Sequence, residues 1–69
     1  SREELFREEV ISTLNYLKLR KIKRLIADNQ LDLEKSENPE EQLIFLQVHQ
    51  HLKQMEIDLT RVMGTVIYK

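Results

Sequence analysis

The sequence predicts an all-α protein, an antiparallel hairpin of two long helices. Three observations lead there. Gly and Pro occur once each, at Gly64 and Pro39, and a chain so poor in breakers and rich in Leu, Ile, Glu, Lys and Gln favours helix. The one interior break is the run KSENPEEQ at 35–42. On both sides of it, seam residues recur at alternating spacings of three and four, the signature of a helical stripe.

Helix 1 is expected over about 3–36. Its seam runs Asn15, Leu19, Ile22, Ile26, Asn29, Leu33, with Ile11, Leu14 and Leu25 beside it. A polar Asn at such a position sits partly wet, bonds the opposite helix, or pins the register. Residues 2–17 obey a different rule. Phe6, Val10 and Leu17 fall on another side of the helix from Leu19 and Ile22, and a two-helix hairpin does not cover that side. A missing domain, a second copy or a partner is expected there. Residues 1–17 therefore read as a connecting segment that continues into helix 1, and 10–69 as the hairpin proper.

Pro39 disfavours helix in the residue before it and suits the first turn of a new one. Asn38 can cap that helix, with Glu41 three residues on as in a capping box. Helix 2 is expected over 39–63, with Gly64 as a left-handed C-cap and TVIYK (65–69) as a short tail. Its seam is expected at Phe45, Val48, Leu52, Met55, Leu59 and Val62, widened by Ile44 and Met63. Leu33 should then meet Ile44. Ile26 should lie near Val48 to Leu52, and Leu19 near Met55 to Leu59.

Composition narrows the function classes. Eleven basic and twelve acidic side chains nearly cancel, which disfavours nucleic-acid binding by general electrostatics. There is no Cys, hence no disulfide framework or thiolate metal site; this fits the cytoplasm. No apolar run approaches the ~20 residues of a membrane span. The chain starts at Ser1, which predicts a fragment of a longer protein. In about 70 residues a single core rarely supplies more than ~3–5 kcal/mol, and a water-excluded active site is hard to house in so little protein.

No catalytic, cofactor or metal site is expected. His49 and His51 stand two apart, and residues so spaced do not share a helix face; both read as surface residues flanking the seam. KLRKIKR (18–24) carries five basic side chains in seven, but they spread around the helix, and Glu56 and Asp58 of helix 2 are placed to neutralise part of them. No Gly-rich loop or Ser, His and Asp grouping is available. What remains is apolar and off-seam: Leu31, Leu43, Leu46, Ile57, and the tail Val66, Ile67 and Tyr68.

The stretches KLRKIKRLIADNQ, LQVHQHLKQMEIDL and the terminal MGTVIYK resemble the extreme C-terminus of bacterial DNA primases of the DnaG type. The likeness covers roughly 10–69. It implies a terminal helical hairpin following a helical bundle, together binding the N-terminal domain of the replicative DnaB-type helicase. Phe6, Val10 and Leu17 would meet that preceding bundle. The helicase contacts are expected at the distal end and tail: Leu43, Leu46, Ile67, Tyr68 and Lys69. The competing expectation is a self-associating hairpin, a homodimer closing a four-helix bundle.

Overall fold

The computed structural model describes residues 1–67. Two helices make up the described chain, α1 (Arg2–Lys35) and α2 (Pro39–Ile67), packed into a hairpin with overall extents of 56 × 16 × 13 Å. α1 runs unbroken through residues 12–15. At its start Ser1 and Glu4 form a reciprocal capping box, which satisfies two otherwise orphaned backbone donors.

Only residues 36–38 separate the helices. Ser36 leaves α1 in an extended conformation, and its N–H donates to the Asp32 carbonyl. Asn38 caps α2 as expected, its Oδ1 accepting from the N–H groups of Glu40 (2.9 Å) and Glu41 (3.2 Å). The Gln42 amide donates back to the Ser36 carbonyl at 2.7 Å, tying the first turn of α2 to the end of α1.

The end of α2 departs from expectation. The chain stays helical to Ile67, and no glycine has a positive φ. Gly64 is thus an interior helical residue, not a C-cap, and residues 65–67 belong to the helix rather than to a tail. A Cβ built on Gly64 meets nothing within 4 Å. Gly in a helix interior costs about 0.5–1 kcal/mol relative to Ala through backbone entropy. Gly64→Ala should therefore raise stability by about that amount in a urea melt; a loss would mean the left-handed cap forms after all.

The core is small. Among the described residues Ile22, Ile26 and Leu52 are the buried apolar side chains, with Leu59 packed against them. Buried with them is the polar residue Asn29, at 5% exposure. On α1 the observed seam follows the expected one: Asn15, Leu19 and Leu33 are half-buried and Ile22, Ile26 and Asn29 buried.

On α2 the seam is rotated from the expected line. The covered side chains are Gln42, Phe45, His49, Leu52, Glu56, Leu59 and Met63, with Gly64 half-buried beside the last. Val48, Met55 and Val62, expected inside, stand exposed, as does Ile44; Leu33 therefore does not bury Ile44. The two lines share Phe45, Leu52 and Leu59. They differ by about 60° of helix rotation at 100° per residue.

Candidate interaction surface

Three polar residues of the seam, Glu56 and His49 of α2 and Asn29 of α1, each meet a different fate. Glu56 is satisfied twice. Its carboxylate accepts from Lys23 Nζ of α1 at 3.2 Å and from Lys53 Nζ at 3.1 Å. These bonds, Lys53 first and then Lys23, hold its carboxyl below the ordinary value of 4.5. The expected neutralisation of the basic run is thus carried by Glu56, whereas Asp58 accepts from the Gln54 amide on its own helix at 2.9 Å.

A carboxyl depressed in the folded chain adds stability above its unfolded pKa, and that contribution disappears as pH falls through the folded value. The wild-type chain should therefore outlast Glu56→Gln at pH 7, with the gap closing below pH 4.5. Both lysines are largely exposed, so the gap is small and shrinks in salt. A gap independent of pH would exclude the carboxylate as its source.

Asn29 crosses the seam. Its Nδ2 donates to the Phe45 carbonyl of α2 at 3.0 Å, while its Oδ1 is buried without a partner. His49 is the third. It joins the seam rather than flanking it, half-buried, and its Nδ1 is buried without a hydrogen bond. His51 is exposed as expected. An unsatisfied buried polar atom costs about 1–3 kcal/mol. His49→Leu places an apolar side chain on the same line and should raise the melting temperature. An unchanged or lower value would mean that the ring finds a solvent partner there.

Outside the seam the hairpin has two unlike sides. One carries Lys23, Lys53 and Glu56, with Ile57, Thr60 and Arg61 around a shallow open groove; Leu46 faces the same way. The opposite side carries Ile44, Val48, Met55 and Val62 of α2 next to Leu14 and Leu25 of α1, all exposed. The back of α1, turned from α2, carries Phe6, Val10 and Leu17, with Phe6 at 66% exposure. These three are uncovered, as expected from the sequence.

Of the anticipated helicase contacts, Leu43 and Leu46 are exposed at 56% and 46%. Ile67 lies in the last turn of α2. Tyr68, Lys69 and the side chain of Ile67 fall outside the described residues. The large apolar side of Val48, Met55 and Val62 was missed because those residues were assigned to the seam. The signal that could have found it is the second spacing through Phe45, His49, Leu52, Glu56 and Leu59, which is equally regular.

Among the described residues no group of three His, Cys, Asp or Glu side chains is placed to hold a metal ion. No described helix is long and apolar enough to cross a membrane.

No curated protein and no solved structure matches the chain significantly. Residues 1–66 match the profile of one protein family, described as a domain of unknown function, DUF8430. With nearly its whole length matched, the chain belongs to the DUF8430 family.

Proposed function

We propose that this chain is a non-catalytic docking module that recruits a DnaG-type bacterial primase to the replication fork by binding the N-terminal domain of the DnaB-type helicase. The observation that carries the docking part is the outward display of large apolar side chains on a two-helix scaffold. The partner is inferred from the likeness of KLRKIKRLIADNQ, LQVHQHLKQMEIDL and MGTVIYK to the primase C-terminus. Such a module works by proximity. Tethering a polymerase beside freshly unwound template raises its effective concentration without any chemistry in the tether. A small contact patch keeps the complex exchangeable, which suits repeated priming. The role belongs to the bacterial cytoplasm.

The contacts assigned to the helicase are Leu43, Leu46, Ile67, Tyr68 and Lys69. Phe6, Val10 and Leu17 are assigned to the preceding bundle of the parent protein. The test is a calorimetric titration of the chain with a purified helicase N-terminal domain. Saturable binding is expected, weakened at least about tenfold, or ~1.4 kcal/mol, by the double change Leu43→Glu and Leu46→Glu. No heat at 100 μM would overturn the recruitment reading; that concentration lies about ten times above a Kd of ~10 μM, or ~6.8 kcal/mol.

A further inference from the structure

We infer that the apolar side of the hairpin is a self-association surface. On it a second copy of the chain packs about a two-fold axis parallel to the helices, to close a four-helix bundle. This does not rest on the helicase reading.

The first observation is the choice of line on α2. The helix turns His49 and Glu56 inward and leaves Val48, Met55 and Val62 outward. Apolar burial is worth ~25 cal/mol per Å2, so a hairpin alone in water gains more by burying the second set. The arrangement becomes favourable when both lines are covered. Phe45, Leu52 and Leu59 then serve α1, and Ile44, Val48, Met55 and Val62 serve another helix. The outward line keeps its own spacing of four, seven and seven, as a second coiled-coil stripe does.

The second observation is area. Over the ~43 Å that 29 helical residues span, a side 16 Å wide has a footprint of roughly 700 Å2, close to the ~800 Å2 per partner of a standard interface.

The third observation is charge. With the axis along the hairpin and both turns at one end, α1 of each copy lies antiparallel over α2 of the other. Leu14 comes level with Val62 of the second copy, and Leu25 with Val48. At the rim, Lys21 stands relative to Asp58 of the second copy with the same offset along the helices as Lys23 has to Glu56 within one chain, where the pair closes at 3.2 Å. Every neighbouring helix pair in this bundle is antiparallel, the favoured arrangement for four helices.

Sedimentation equilibrium of the isolated chain, without helicase, tests the inference. A species of twice the 8.3 kDa chain mass is expected at micromolar concentration. Met55→Glu should raise the dimer Kd at least about a hundredfold, whereas Ile57→Glu on the salt-bridge side should leave it within about twofold. If Met55→Glu fails to fold, a charge exchange decides. Lys21→Glu alone should weaken the dimer about five- to tenfold, and adding Asp58→Lys should restore it. A chain that stays monomeric at 200 μM would assign this side to another protein and overturn the proposal. So would a dimer that Ile57→Glu disrupts as strongly as Met55→Glu, or one in which the second exchange brings no recovery.

Discussion

Leu52→Ala should unfold most of this molecule. Among the described residues Leu52 is one of three buried apolar side chains, and the one that α2 contributes to the core. Removing a buried Leu side chain costs about 2–5 kcal/mol, from lost transfer energy and the cavity left behind. A single core in a chain of this length rarely supplies more than about 3–5 kcal/mol, so the loss is as large as the whole. The helical circular dichroism signal at 25 °C should fall well below wild type, and the thermal transition should become broad and early. Leu46→Ala is the control: the side chain is half-exposed on the salt-bridge side, and its loss should cost no more than about 0.5 kcal/mol. Equal losses in the two variants would mean that the helices are not held together at Ile22, Ile26 and Leu52.

Asn29→Ala and Asn29→Leu should part company. The alanine variant loses the bond to the Phe45 carbonyl and empties part of the seam, which together cost about 1–3 kcal/mol. Leucine refills the space and removes the buried, unpaired Oδ1, so its stability should return to wild type or exceed it. What leucine does not restore is register. A single polar seam residue can fix which levels of two helices meet, and the Asn29 side chain reaches a backbone atom of the opposite helix. The Leu variant should show more amide cross-peaks than residues in a two-dimensional NMR spectrum, as alternative alignments exchange slowly. One sharp set of peaks would assign the register to the turn alone. An alanine variant as stable as wild type would remove any energetic role for the bond.

The architecture was legible because breakers are rare and one Pro stands where the chain must reverse. Asn38 and Pro39 marked the start of α2 to the residue. The α1 seam was legible position by position, since Leu19, Ile22, Ile26 and Leu33 leave one continuous line and the two Asn residues fall on it. α2 was harder for a physical reason. Its apolar residues cover an arc too wide for a single neighbour, so two lines compete through shared positions. Counting apolar residues selects Val48 and Met55. The structure instead selects His49 and Glu56, one of them answered by Lys23 across the seam. Pairwise charge across helices is invisible until the register is known, and here it went with the less oily line. Gly64 misled for a related reason. A lone Gly near a helix end reads as a stop, but negative φ and open space around its Cα let the helix pass through. The uncovered back of α1 was legible from Phe6, Val10 and Leu17 because no single stripe holds them with Leu19 and Ile22.

The brevity of the link between the helices has a consequence for timing. With three residues to reverse direction and the Gln42 amide fastened to the Ser36 carbonyl, the two arms can zip from the turn outward with little chain to gather. Helical folds dominated by such near-neighbour meetings form in microseconds to milliseconds. Two proteins colliding productively at ~10⁶ M⁻¹s⁻¹ and 1 μM wait about a second for each other. Any visitor arriving at this chain thus finds the arms already closed, and selects among finished shapes instead of guiding their assembly.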